Sequence, residues 1–460
     1  MQRLTVPDAA WLLIESAERP MHVGGVMLFE PPPDAADTWL QEVVAEALLY
    51  PEVRPPMNRR LHRPYGLLGT YAWVEDEVDL TYHVRHLALP QPGRIRELLS
   101  LVSRMHGALL DRHRPLWELY LVEGLADGRV ALYGKFHHSL LDGIAAVRQI
   151  LAAFSPDPDE RDLPPPWAAR PETAPRPPRP IVTLNPATTL ARAAGGAVKQ
   201  TTAALGASRA LGGQLLGRLR DAVEAVPFEA PDTMLNVRLT ASRRVVAQSY
   251  AFERIRGVAK ATDATVNDVM LAMCGGALRA YLAAHDALPA RPLIALVPVN
   301  IRDDDTDAGN AITFLLANLA THEPDPLDRL ERVRASMTAG KERLGSMTRA
   351  ERQNYGLALA TPLVVGQLSG LSARLPPLYN VVISNVPGPG QALYWNGARL
   401  DGLYPVSLLA DGLALNITQT SYAGSMEFGI TADRKALPRI QRLIDHLEDE
   451  LAALERAAGV

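Results

Sequence analysis

From Val130 to Phe136 the chain is largely apolar, and the run stops on two adjacent histidines, His137 and His138. Asp142 follows four residues after the second, and then Gly143. From Gly143 to Phe154 the apolar residues Ile144, Val147, Ile150 and Leu151 recur at helical spacing. A buried strand, a turn and a helix are therefore joined in that order, with the histidines at the strand end or in the turn. Side chains at such a place meet a cleft, and an imidazole there can take a proton from a hydroxyl near neutral pH. A plainer account is two packed histidines followed by an aspartate that caps the helix. An isolated His-His pair usually deserves the plainer account. Here the spacing to Asp142-Gly143 and several further stretches favour the chemical one.

The rest of the chain alternates in the same way. Helices are predicted at Leu4 to Glu18, Thr38 to Leu49 and Ile95 to Leu110, and strands at His22 to Phe29 and Trp73 to Val84. Trp117 to Glu123 and Val130 to Phe136 read as a hairpin turning at Ala126-Asp127-Gly128. Ser155 to Pro180 is proline-rich, cannot hold helix or ladder, and reads as a linker. Beyond Leu235 strands are predicted at Arg244 to Phe252, Leu293 to Val299, Val381 to Ser384, Leu413 to Thr420 and Ser425 to Thr431. Helices are predicted at Ile255 to Thr262, Asn267 to Leu282, Leu327 to Met337 and Leu437 to Leu454. Interleaved strands and helices in both halves give an α/β class. The expected division is 1–154, a linker and basic segment at 155–228, and 229–460.

Composition excludes several classes. Of 460 residues 47% are hydrophobic, enough for a large core. Forty-seven basic against 51 acidic residues leave a net charge of −4, which offers no argument for nucleic acid. The single cysteine, Cys274, rules out an internal disulfide framework and a multi-cysteine metal site, and its apolar neighbours make it a core residue. The His-His pair lacks further ligands at suitable spacing, so no metal is expected. No basic region followed by an apolar run opens the chain, and no uninterrupted apolar stretch is long enough to span a bilayer. A cytoplasmic protein is expected.

His137-His138-Ser139-Leu140-Leu141-Asp142-Gly143 resembles the HHxxxDG motif of the acyltransferase superfamily that includes chloramphenicol acetyltransferase, carnitine acyltransferases and peptide-synthetase condensation domains. The wider sequence, from Leu4 to about Leu451, resembles the bacterial wax ester synthase/diacylglycerol acyltransferase family. That closer likeness rests on Met21-His22-Val23-Gly24, Pro115-Leu116-Trp117-Glu118, Val266-Asn267-Asp268-Val269 and Asn385-Val386-Pro387-Gly388-Pro389. The resemblance implies two chloramphenicol-acetyltransferase-like domains, each a mixed sheet flanked by helices, with an active-site tunnel between them. It implies His138 as the base, direct attack in a ternary complex, and His137 packed beside it to orient the loop. In the superfamily the aspartate, here Asp142, points away from the base and pairs with an arginine; Arg302, after a buried strand, is the candidate partner. In the family the asparagine matching Asn267 is linked to activity and lies near the histidines.

Read as residues, the remaining candidates have structural accounts beside functional ones. Gly143 suits a tight backbone approach. Trp117 suits a buried strand start, and Asp268 a helix first turn. Ser384 or Asn385, beside a rigid turn of two prolines and a glycine, could donate to a thioester oxygen. No Gly-x-Ser-x-Gly elbow is present, so an acyl-serine is not favoured.

The expected activity is acyl-CoA-dependent O-acylation of diacylglycerol, and of long-chain alcohols to wax esters, with acyl-CoA as co-substrate and no bound cofactor. The alternatives are an acyltransferase for a polyketide-derived or other lipid alcohol, and an inactive lipid-binding relative. Thr173 to Arg220 contains no acidic residue and carries Arg192, Lys199, Arg209 and Arg218 among apolar residues. It reads either as a peripheral anchor on the inner membrane face or lipid droplets, or as an interdomain connector.

Overall fold

The computed structural model describes residues 2–36, 38–63, 71–169, 230–300, 312–370, 372 and 376–460. The N-terminal part contains β1 (Gln2–Arg3), α1 (Val6–Ile14), β2 (His22–Glu30), α2 (Trp39–Leu48), β3 (Arg59–His62) and β4 (Ala72–Glu75). It continues with α3 (Leu80–His83), β5 (Val84–Ala88), α4 (Ile95–His106), β6 (Trp117–Glu123), β7 (Val130–His137) and α5 (Gly143–Leu151). The C-terminal part begins with β8 (Arg243–Ala251), α6 (Phe252–Ala261), α7 (Val266–Ala283), β9 (Ile294–Asn300), β10 (Ile312–Asn318), α8 (Pro326–Gly345) and α9 (Arg349–Ser369). It closes with β11 (Val381–Val386), β12 (Tyr394–Trp395), β13 (Ala398–Val406), β14 (Leu415–Tyr422), β15 (Ser425–Asp433), a 3-10 turn at Ile440–Arg442 and α10 (Leu443–Ala458).

Two six-stranded sheets result, in the orders β12-β13-β2-β7-β6-β5 and β10-β9-β11-β14-β15-β8. Both are mixed: β5 runs parallel to β6, and β11 parallel to β9 and β14, while the other pairs are antiparallel. A third, three-stranded sheet joins β1, β4 and β3. The α/β class and helix-flanked sheets follow the sequence expectation.

The division at 229 leaves out an exchange between the halves. After β11 the chain passes Pro387-Gly388-Pro389 and enters the N-terminal sheet as β12 and β13, where Ala398–Val406 pairs with β2. This strand packs so closely on the C-terminal sheet that a Cβ on Gly429 would lie 1.8 Å from the carbonyl oxygen of Pro405. Only glycine fits where two backbones meet at that distance. The β13 segment escapes a sequence reading because Asp401, Gly402 and Pro405 interrupt its apolar pattern; tertiary burial overrides them.

One further expectation changes. The single strand foreseen at Trp73 to Val84 is split into β4, the turn α3 and β5. Asp79 is responsible: its carboxylate accepts from the Tyr82 amide and nucleates the helical turn. The described part of the proline-rich linker is packed against the N-terminal part. Trp167 is buried, its indole donates to the Tyr50 carbonyl oxygen, and Gln149 donates to that of Pro166. Cys274 is buried in α7 as expected, and burial pushes its thiol up to about 12.

Candidate active site

β7 is buried along its whole length, and its last residue, His137, pairs across the sheet with His22 of β2. The chain then turns, and Asp142 caps α5 by accepting from the Ala145 amide at 2.8 Å. The two histidines are treated differently by this turn. His137 is fully buried. Its Nδ1 accepts from the Ser139 amide at 3.1 Å and lies 2.6 Å from the Ser139 hydroxyl. Its Nε2 lies 3.3 Å from Glu15 Oε1, out of line for a well-formed hydrogen bond. An acceptor role at Nδ1 places the proton of a neutral ring on Nε2, facing the carboxylate.

His138 is half-buried. Its backbone amide donates to the Met21 carbonyl oxygen at 2.9 Å. Its ring lies under the indole of Trp11, with centroids 4.3 Å apart and planes tilted by 31°. Burial lowers its pKa from the ordinary 6.5, while the Asp142 carboxylate acts in the opposite direction. The neutral, proton-accepting form therefore persists below the usual imidazole range. Activity is expected to be lost only as pH falls through that depressed value. The acidic limb of a kcat/KM profile should have its midpoint below 6.5, and a midpoint above it would contradict this environment.

The helix α1 meets both histidines, which the sequence reading did not foresee. Thr5 caps it by accepting from the Asp8 amide. Trp11 and Glu15, four residues apart, reach the same side, as i and i+4 do on a helix. Glu15 Oε2 accepts from Nε and Nη2 of Arg112 at 3.1 and 2.8 Å, and Oε1 accepts from the Met21 amide at 3.1 Å. Burial pushes this carboxyl up, but His137, then Arg112 and the Met21 amide outweigh it and hold it at about 2. The i, i+4 spacing of Trp11 and Glu15 was visible, but nothing local says that a distant histidine pair lies opposite.

The turn stands where the two halves meet. Just after α1, Arg19 ion-pairs with Asp411 at 3.0 Å and donates to the Gln367 side chain at 2.9 Å. Arg243 of β8 donates to the Glu18 carbonyl oxygen. On the face of β7 that carries Tyr133, His106 donates Nε2–H to the Ser407 carbonyl oxygen and accepts from Tyr133.

Not all sequence candidates gather here. His137, His138, Asp142 and Gly143 share one turn. Among the described residues nothing lies within 4 Å of where a Cβ on Gly143 would be, so none of them requires a glycine there. Asn267 lies in the first turn of α7, half-buried, behind the box that Thr265 and Asp268 form. Asn385 is exposed on β11, in register with Gln419. Among the described residues neither asparagine hydrogen-bonds to the histidine turn. Arg302, the foreseen partner of Asp142, and the basic stretch from Thr173 to Arg220 lie outside the described residues. A cleft of about 760 Å³ beside Glu30, Leu125, Arg129 and Asp401 lies at the opposite ends of β2 and β7 and carries none of this chemistry.

The turn sets a half-buried histidine, His138, at a strand end where the two halves, each with a mixed sheet, meet. The comparisons show the family. The wax ester synthase/diacylglycerol acyltransferase catalytic domain matches residues 4–270, and the C-terminal domain of the same family matches 308–455. A putative diacylglycerol O-acyltransferase of Mycobacterium bovis is 43% identical over 456 residues, 98% of each chain. The O-acyltransferase WSD of Acinetobacter baylyi is 44% identical over 461 residues, 99% of this chain and 97% of its own. The solved wax ester synthase/diacylglycerol acyltransferase from Marinobacter aquaeolei VT8 covers 100% of both chains with a TM-score of 0.80 and 41% identity. The first condensation domain of the CDA synthetase, 16% identical with a TM-score of 0.58 over 99% of this chain and 96% of its own, shares the fold alone. This chain belongs to the wax ester synthase/diacylglycerol acyltransferase family, and it is an acyltransferase.

Proposed function

We propose that the enzyme transfers a long-chain acyl group from acyl-CoA to diacylglycerol, and also to long-chain alcohols, with His138 as general base. One observation supports this choice above the others: both ring nitrogens of His137 face partners that hold the turn, whereas no described side chain hydrogen-bonds to the half-buried ring of His138. The alcohol oxygen attacks the thioester carbonyl while a ring nitrogen of His138 takes the hydroxyl proton. The tetrahedral intermediate collapses, the carbon–sulfur bond breaks, and the proton passes to the departing thiolate of CoA. No acyl-enzyme forms. The test is product formation from long-chain acyl-CoA with diacylglycerol, hexadecanol and a 1,3-diol in parallel. Exclusive use of the diol, or no turnover of any acceptor, would overturn the reading.

Such acceptors are nearly insoluble, so the enzyme must collect them at a membrane or lipid-droplet surface. No described helix is long and apolar enough to cross a membrane. Leu13 on α1 and Val365 and Leu368 on α9 are exposed large hydrophobics on two helices that pack together, and α1 carries the indole over His138. These residues favour contact with lipid beside the site. Replacing all three with Asp is expected to abolish flotation with diacylglycerol-containing vesicles. Unchanged flotation would place the contact elsewhere.

A further inference from the structure

The carboxylate of Glu15 is joined to both histidines. Its Oε1 faces Nε2 of His137 at 3.3 Å and accepts the Met21 amide at 3.1 Å. The carbonyl of the same Met21 accepts the backbone amide of His138 at 2.9 Å. One oxygen therefore reaches His137 through its ring and His138 through the Met21 residue. The other oxygen is held by two N–H groups of Arg112, whose Nη2 also donates to the Leu12 carbonyl oxygen on α1. The carboxylate is thus fixed from behind, and its side chain is 3% exposed.

This arrangement selects a tautomer. A neutral imidazole can present its proton on either nitrogen, and a neighbouring anion favours the nitrogen that faces it. Glu15 favours Nε2–H on His137. Nδ1 is then a bare acceptor, the state needed to receive the Ser139 amide and hydroxyl. With the proton on Nδ1 instead, that ring would oppose the Ser139 N–H, and the turn carrying His138 would lose its lock. We infer that Glu15 is a positioning residue for acyl transfer, which sets the tautomer of His137 and thereby the geometry of the turn that presents His138. The inference rests on the reading of His138 as the base.

The experiment is a double-mutant cycle on the full chain, read as kcat, KM and melting temperature. Glu15→Gln keeps an oxygen for the Met21 amide but removes the charge that faces His137. It is expected to lower kcat about tenfold, and Glu15→Ala towards 100-fold, by analogy with the loss of a partner that orients a metal-ligating histidine. KM should change by less than about twofold, because no substrate contact is removed. In a His137→Phe background, Glu15→Gln should then cost less than about twofold, since the residue through which it acts is gone. Should His137→Phe fail to fold, Ser139→Ala is the second background, cutting the same line at Nδ1, and the Glu15→Gln loss must shrink there. A lower melting temperature with unchanged kcat, or an equal kcat loss in both backgrounds, would make Glu15 a packing residue and overturn the inference. His138→Ala measured alongside separates the two readings. Loss of activity there with none in the Glu15 variants removes only the role of Glu15, whereas retained activity removes the base and the inference together.

Discussion

His138→Ala is expected to give a folded protein with turnover reduced by about 10²–10⁴, the usual cost of losing a general base. The fold should survive for a stated reason. The half-buried ring packs mainly under Trp11, and the backbone amide of residue 138 keeps its bond to Met21 whatever the side chain. His137→Ala differs in kind, because it empties a fully buried site and leaves the Ser139 amide without its acceptor. That variant should lose stability as well as activity. A thermal melt beside a lipid-product assay distinguishes the two. Turnover of His138→Ala within a few fold of the parent at saturating substrate would take the base role away from this residue.

The largest expected effect on stability lies at Lys135, two residues before His137. Lys135 is buried in β7, and its Nζ lies 2.8 Å from Glu118 Oε2 and donates to the carbonyl oxygens of Met105 and Ala108. Glu118 also accepts from the Tyr120 hydroxyl and faces Arg85 at 3.5 Å. Burial pushes the Lys135 ammonium down, and Glu118 is the main group that offsets it. Glu118→Ala strands the ammonium in the core and is expected to cost about 3–5 kcal/mol. The loss should depend on pH with a definite sign. A buried lysine without its partner has a folded pKa below its unfolded value, so stability recovers as pH rises towards the unfolded value near 10.4. Chemical denaturation at pH 7 and at pH 9.5 checks both statements. A loss below about 1 kcal/mol, as for an exposed pair, would mean that the ammonium finds other solvation.

Glu118 is the last residue of the Pro115-Leu116-Trp117-Glu118 stretch, and it shows how far local reading reaches. Trp117 was legible as a buried strand residue: its indole donates to the Met57 carbonyl oxygen at 2.7 Å and it stacks on His83. The glutamate beside it was not, because a charge at a strand start reads as surface until its buried cation is known. The same limit explains Gly143. A glycine after a cap suggests a close backbone, whereas among the described residues of the folded chain nothing lies within 4 Å of where its Cβ would be.

By itself the sequence determined the properties carried by neighbours along the chain. The apolar run into His137-His138, the cap at Asp142 and the periodicity of α4, α5 and α7 are local, because strand and helix repeats are short and a cap is set within one turn. Family motifs told which chemistry to expect at the turn. The tertiary structure decided what His137 faces, because that depends on Glu15, Arg112 and Met21, far from it in sequence. It also decided that β13 completes the N-terminal sheet. Strand pairing depends on backbone groups that every residue carries, so the identity of a distant partner is not written in either strand.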